Sequence, residues 1–167
     1  MDSIVESFVE DYWIVNLRAI DGLGLLENIE YLDPNGNQYQ DNYTEIDQLA
    51  RCLQLTGLDL NFLLYEFNLY FTIDDSTPNA TTQKALRDTE VNTSRYVKDD
   101  ESSTVFTAKD VLDSLLKKYG AFVCQQDNKW VIGRVIDIYN ESAVNWFVSE
   151  FDSDGVVQSA NLVDITT

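Results

Sequence analysis

The sequence predicts an α+β fold in which two short amphipathic helices pack on mostly antiparallel sheets. Residues 44–57 and 107–120 each begin with threonine, continue with an apolar stripe at helical spacing and end at glycine. Apolar and polar residues also alternate around turn residues, most clearly after residue 120, which is typical of hairpins. A chain of 167 residues has room for one domain or two small ones.

The N-terminal region predicts strands joined by turns. Residues 8–20 indicate one strand, because 13–18 alternate apolar and polar side chains. The glycines of DGLGLL, residues 21–26, indicate a bend or a close approach of two backbone segments. Residues 28–33 indicate a short strand, and Pro34-Asn35-Gly36 forms a turn because Asn and Gly tolerate positive φ.

The first helix is predicted from its ends. Thr44 caps it and Asp47 completes a capping box, while Gly57 stops it. The apolar stripe consists of Ile46, Leu49 and Leu53, with Cys52 beside it. The polar residues Glu45, Gln48, Arg51 and Gln54 fall outside this stripe.

Residues 58–73 fit two structures. Alternation at Leu63, Tyr65, Phe67 and onward predicts a strand with these residues on a dry face, although a helix also fits. The aromatic content favours the strand. Residues 74–103 are polar and predict a long loop or a divider between subdomains. We therefore expect an N-terminal subdomain (1–73), a connecting segment (74–103) and a C-terminal subdomain (104–167).

The C-terminal subdomain is predicted to be one helix followed by an antiparallel meander. Residues 107–119 form the helix, with Lys117 and Lys118 in its last turn and Gly120 after it. Strands follow at 121–126, 129–138, 144–151 and 156–163, with turns at Asp127-Asn128 and Asp154-Gly155. Thr44, Asp47, Leu49, Leu53 and Gly57 each recur 63 positions later. This echo indicates an internal duplication, or only the common needs of short helices.

The charge argues against several partners. Twenty-nine acidic residues face eleven basic ones, a net charge of −18, which would repel nucleic acid and anionic membranes. No apolar run approaches the length that inserts into a bilayer. The acidic surface is a solvating coat, or a surface for a basic partner or divalent cations.

The residue types predict no enzyme and no catalytic, cofactor or metal site. The chain has no histidine, so histidine-based triads and zinc sites are excluded, and it has no phosphate-binding glycine motif. Asp33, Asn35 and Asn37 have the first spacings of a calcium loop, but Gln38 replaces the required glycine. We interpret them, and the Asp152–Asp154 pair, as polar turns.

Two other residue types allow alternatives. Cys52 and Cys124 could be buried thiols or one disulfide. Trp13, Trp130 and Trp146 lie in alternating segments, which is typical of core residues and also of subunit interfaces.

Several segments together resemble tail proteins of phages and prophages of Bacteroidetes. They are DGLGLL, LTGLDL at 55–60, residues 92–96 and the helix–glycine–strand–turn unit at 112–134, with Gln125, Gln126, Lys129 and Trp130 at its characteristic positions. The resemblance implies a tail-tip or baseplate hub protein with no active residues. It also implies a homo-oligomer that contacts other tail proteins, assembles in the bacterial cytoplasm and resides in the virion tail. Those proteins are longer, so we expect a fragment or a short member whose first strand pairs upstream. The alternative is an acidic adaptor for a basic protein.

Overall fold

A computed structural model describes residues 5–9, 12–16, 22–65, 85–99, 104–138 and 145–164. The α+β class is confirmed. The helices are α1 (Glu45–Gln54), α2 (Ala85–Asp88), α3 (Ala108–Tyr119) and α4 (Val135–Ile138), with 3₁₀ segments at Gly22–Asn28 and Thr93–Tyr96. The strands are β1 (Val5–Val9), β2 (Tyr12–Asn16), β3 (Asn42–Thr44), β4 (Phe62–Tyr65), β5 (Glu90–Asn92), β6 (Val97–Asp99), β7 (Thr104–Val105), β8 (Ala121–Gln126), β9 (Lys129–Arg134), β10 (Asn145–Phe151) and β11 (Val157–Asp164).

The capping box predicted at Thr44 and Asp47 is confirmed, and α3 begins with a second one. Thr44 Oγ1 accepts a hydrogen bond from Asp47 N at 3.2 Å, and the Asp47 carboxylate accepts one from Thr44 N at 3.2 Å. Thr107 and Asp110 make the same two bonds at 3.1 and 3.3 Å. Gly120 ends α3 in the left-handed conformation, at φ +63°. Gly57 also has positive φ, but it lies two residues beyond the C-cap Leu55.

The central sheet mixes residues from both ends of the chain. Its order is β11-β10-β4-β9-β8, in which β4 and β9 are parallel and the other pairs are antiparallel. The C-terminal strands thus form two hairpins after α3, with β4 inserted between them. The boundaries predicted at residues 74 and 103 therefore do not separate packing units in the described part of the chain.

The core lies between one face of this sheet and the helices α1 and α3. Phe62 and Phe151 stack at 4.8 Å between ring centroids, and Trp130 is fully buried beside them, as expected for a core tryptophan. The helices contribute the buried residues Ile46, Leu49, Cys52, Leu53, Val111, Leu112 and Leu115. Burying each large apolar side chain contributes about 1.5–3 kcal/mol, so this layer holds the helices against the sheet.

The strand predicted within 58–73 is confirmed at Phe62–Tyr65, and residues 66–73 lie outside the described residues. Its predicted dry face was wrong. Phe62 and Leu64 are buried under the helices, whereas Leu63 and Tyr65 are only half-buried on the opposite face. Both faces of this central strand are apolar, so alternation alone could not identify the inner one.

Two N-terminal predictions were also wrong. The single strand at 8–20 is instead a hairpin, because Phe8 pairs with Trp13 and Val9 with Tyr12. The partner of β2 is thus β1, which lies within this sequence, rather than a segment that would precede it as expected from the resemblance. The strand at 28–33 is absent from these described residues, since Asn28 still belongs to the 3₁₀ segment and only Glu30 bridges, to Thr107.

Two later segments differ from their predictions for tertiary reasons. Residues 85–99 are not a loop, because they form α2, β5, a 3₁₀ turn and β6, and they bury Leu86 and Tyr96 in the core. Residues 74–84 lie outside the described residues. The strand predicted to reach 138 ends at Arg134, and Val135–Ile138 forms a short helix despite its β-branched residues.

Candidate interaction surfaces

The edge strand β8 presents an unprotected edge. It has no outer partner among the described strands, and every second residue of an antiparallel strand directs its N–H and C=O away from its neighbour. Its sequence, AFVCQQ, contains no charge, proline or glycine. Natural edges usually carry such residues, or a bulge, to prevent pairing with other chains. Gly120 precedes the strand, and Asp127 and Asn128, both at positive φ, follow it in a tight turn.

The opposite edge of the same sheet is β11, which also lacks an outer partner among the described strands. A register shift at Glu150/Phe151 introduces a bulge near its start. The preceding turn is organised by Asp152, whose carboxylate accepts hydrogen bonds from Asp154 N, Val156 N and Gln158 Nε2 at 3.1, 2.9 and 2.7 Å. Gly155 completes the turn at φ +85°.

The two edges differ in charge. Residues 104–138, which hold α3, β8 and β9, contain five basic and four acidic residues. Residues 145–167, which hold β10 and β11, contain four acidic residues and no basic one. Lys117 is the most exposed of the basic groups, with 79% of its side chain accessible. The β8 side is therefore close to neutral, whereas the β11 side is acidic.

The face of the sheet turned away from α1 and α3 contains one continuous row of residues. The register aligns Cys124 with Val131, Val131 with Leu63, Leu63 with Glu150, and Glu150 with Ser159. This row crosses all five strands, so Cys124 on the β8 edge and Ser159 on the β11 edge occupy equivalent register positions.

An ion pair lies on the same face. Lys129 Nζ bonds the Glu150 carboxylate at 2.7 Å. Hydrogen bonds from Lys129 and Asn61 lower the pKa of Glu150. Both side chains are partly exposed, so the pair contributes little stability.

Tyr39, Tyr43 and Arg51 form a second candidate surface, with the buried Tyr31 and Tyr96 packed behind it. The Arg51 guanidinium lies 3.6 Å from the ring centroid of Tyr43 and 4.4 Å from that of Tyr39. Tyr31 packs 4.9 Å from Tyr39 and 5.7 Å from Tyr96. Desolvation raises the pKa of Tyr31 strongly, and burial also raises those of Tyr39 and Tyr96. The rings of Tyr39 and Tyr43 thus bind the Arg51 guanidinium through cation–π contacts.

An open groove of about 510 Å³ runs beside these rings. It is lined by Asp33, Asn37, Gln38, Tyr39, Gln40, Asp41 and Tyr43. Asp33 is already engaged, since its carboxylate accepts from the backbone N–H groups of Asn35 and Asn37 at 2.8 Å each. Asp41 is exposed. The groove thus offers aromatic, amide and carboxylate groups, which suit a basic side chain.

Glu45 is a buried carboxylate that the sequence did not single out. Its side chain is fully inaccessible, and it accepts hydrogen bonds from Lys118 Nζ at 2.8 Å and from Tyr119 Oη. Burial opposes the charged form of Lys118, but its hydrogen bonds to Glu45 and Tyr119 outweigh this, so the pKa of Lys118 is raised. The cluster joins the start of α1 to the end of α3, which makes it a structural clamp. Because Glu45 lies outside the apolar stripe of α1, the sequence pattern gave no sign of its burial.

The other sequence candidates have structural roles where they are described. Asp33, Asn35 and Asn37 form a polar turn closed by the Asp33 carboxylate, and Asp152 does the same at its turn. Within the described residues, no group of three His, Cys, Asp or Glu could hold a metal ion. Cys52 is buried and Cys124 half-buried, and both are free thiols. The side chains of Trp13 and Trp146 lie outside the described residues.

The described part of the chain contains no helix long and apolar enough to cross a membrane. No protein-family model, curated protein or solved structure matches the sequence. The functional argument therefore depends on the surfaces themselves and on the sequence resemblance.

Proposed function

We propose that this protein is a structural component of a phage or prophage tail tip or baseplate and that it acts through protein–protein assembly. The observation that supports assembly is the five-stranded sheet, whose two edges have no outer partner among the described strands and of which β8 has no charge, proline or bulge. The resemblance of residues 112–134 to phage tail proteins supports the tail setting.

The physical case for assembly concerns the backbone of β8. An open edge offers a row of N–H and C=O groups that an added strand satisfies, and such pairing is a common mode of protein recognition. Monomeric proteins usually protect such edges, so an unprotected six-residue edge suits a protein whose function requires pairing. The acidic surface then keeps the free chain soluble before assembly.

Immunogold electron microscopy tests the tail setting. Particles are induced from cells that encode this chain and labelled with an antibody against it. Gold at the tail end is expected, because tail-tip proteins are retained in the particle. Gold on the capsid, or no gold on intact particles when a coat-protein antibody labels them, would reject the proposal.

A second candidate function is an adaptor that binds a basic protein, and the groove beside Tyr39 and Tyr43 favours it. Arg51 already shows that these rings accept a guanidinium, and Asp41 adds an exposed carboxylate to the groove. Binding of a fluorescent arginine-rich peptide tests it by anisotropy. Asp41→Asn should weaken binding more than Asp59→Asn, an equal charge change at another exposed site outside the groove lining. Equal effects of the two variants, or binding unaffected by salt, would exclude the groove as the site.

A further inference from the structure

We infer that the two open edges are the two halves of one interface, so that β8 of one copy pairs with β11 of the next copy. This inference rests on the proposed assembly role and names its partner as a second copy of this chain. The interface uses two different surfaces, so it is heterologous and builds a ring or a filament rather than a closed two-fold dimer.

The strand directions fit this arrangement. β4 and β9 are parallel, and β8 runs opposite to β9. On the other side, β10 runs opposite to β4 and β11 opposite to β10, so β11 has the direction of β4. A second copy displaced along the sheet in the same orientation therefore places its β11 antiparallel to β8, the pairing that is slightly more stable per residue.

The register fits as well. Cys124 and Ser159 lie at the two ends of the row that crosses the sheet through Val131, Leu63 and Glu150. When Ser159 of the next copy lies opposite Cys124, the row continues across the interface, and Ala121–Cys124 pair with residues 162–159 without a change of face. Gln125 and Gln126 come opposite the bulge at the start of β11, where the regular pairing ends.

The charges decide between this and symmetric pairing of the acidic edge. In the aligned register Ala121, the first residue of β8, pairs with Leu162, so Asp164 extends two residues beyond the pairing, towards the end of α3 that carries Lys117. Pairing β11 with β11 would instead bring together two segments that each hold four acidic residues and no basic one. Of these acidic residues only Asp164 lies within β11, so the repulsion acts between the two β10–β11 segments as a whole and favours contact with the nearly neutral β8 side.

Disulfide trapping tests the pairing and its register. Ser159→Cys places a thiol on the same face as Cys124, whereas Ala160→Cys, the control, places one on the opposite face. The native Cys52 is retained in every variant, because its buried thiol is not available for cross-linking. Each variant of the full chain is oxidised with diamide and separated on a non-reducing gel. Ser159→Cys should give a ladder of dimers, trimers and larger species, and Ala160→Cys should remain monomeric.

A second substitution separates a heterologous contact from a symmetric one. Adding Cys124→Ser to Ser159→Cys should abolish the whole ladder, because only Cys124 of the neighbouring copy can reach position 159. Asn161→Cys, one step further along the same face, reports a two-residue slip of the same pairing. The inference is overturned if both Ser159→Cys and Asn161→Cys stay monomeric, or if the chain with native cysteines forms only Cys124–Cys124 dimers.

The outcomes of the two proposals are distinguishable. Gold at the tail end without a ladder would keep the tail-tip role and reject pairing between copies. A ladder without gold at the tail end would keep the interface and reject the tail setting.

Discussion

Gly22 gives a sharp test of the packing between the first 3₁₀ segment and the end of α1. A Cβ added at Gly22 would lie 2.6 Å from Thr56 Cβ and 3.2 Å from Thr56 O. Ordinary carbon–carbon contact is about 3.5–4.0 Å, so an alanine methyl would be too close by about 1 Å. Thr56 Cβ is attached directly to the backbone and cannot rotate away.

Thr56 is also held in place. Its side chain is buried, with the residue 6% exposed. Thr56 Oγ1 donates a hydrogen bond to Leu53 O and accepts one from Leu58 N at 3.2 Å. Relief of the clash therefore has to move backbone, and such overpacking costs about 1–3 kcal/mol. With a urea m-value of about 2 kcal/mol per molar, a loss of about 2 kcal/mol lowers the unfolding midpoint of Gly22→Ala by about 1 M.

Gly24→Ala is the matched control, because it lies in the same 3₁₀ segment with no atom within 4 Å of the added Cβ. Neither glycine has positive φ. Gly24→Ala should therefore stabilise the protein by about 0.4–1 kcal/mol through the entropy of the unfolded chain. Urea denaturation followed by tryptophan fluorescence measures both midpoints. A midpoint for Gly22→Ala at or above that of Gly24→Ala would show that the close approach to Thr56 is not present.

Three further predictions concern the buried polar groups. Lys118→Met removes the partner of the fully buried Glu45 and should lower the free energy of unfolding by about 3 kcal/mol. Lys117→Met, whose pair with Asp113 is exposed, should cost under about 0.5 kcal/mol in the same urea assay. Equal losses in the two variants would contradict the role of Glu45 and Lys118 as a clamp between α1 and α3. Burial raises the pKa of Tyr31 above its ordinary value of 10.0, so the folded state retains a proton that the unfolded state releases. The stability from Tyr31 is complete below about pH 10 and falls above it by about 1.4 kcal/mol per pH unit, which urea midpoints between pH 8 and 11 can measure; a flat profile would show that Tyr31 is accessible. Burial also raises the pKa of the Cys52 thiol, so a chromogenic disulfide reagent should react with one thiol in the folded chain and with two in urea. Cys124→Ser should leave no thiol reactive before unfolding. Labelling of Cys52 in the folded chain would refute its burial.

The sequence predicted those features whose cause lies within a few neighbouring residues. Thr44 and Asp47 cap α1 through bonds that span three residues, and the Asp127-Asn128 turn depends only on residue types that tolerate positive φ. At Gly22 the sequence indicated a bend or a close approach of two backbone segments, because glycine permits either, but it did not identify Thr56, 34 positions away, as the neighbour. The cap and the turn, by contrast, need no distant segment.

The features that sequence reasoning missed depend on distant pairing. The insertion of β4 between β9 and β10 joins residues that are 68 positions apart on one side and 83 to 89 on the other, and no local pattern specifies such neighbours.

Glu45 and Gln48 show why an amphipathic pattern did not locate the candidate sites. Both lie outside the apolar stripe of α1, and both are fully buried, Glu45 against the end of α3 and Gln48 against β3 and β5. Gln48 Nε2 satisfies Tyr43 O and Val91 O, one from each strand, at 3.2 Å. Polar residues thus fasten the small β3–β5 ribbon to α1, and the same ribbon positions Tyr43 against Arg51.

The distribution of charge connects the fold with the proposed assembly. Self-repulsion of a chain with net charge −18 opposes nonspecific association in any orientation. Basic residues are concentrated near β8, so contact at this edge avoids most of that repulsion. An uncharged strand then supplies the backbone hydrogen bonds, and the acidic β11 side of a neighbour meets the nearly neutral one of the two edges of the described sheet. Charge therefore selects the orientation of the contact, and backbone pairing supplies its stability.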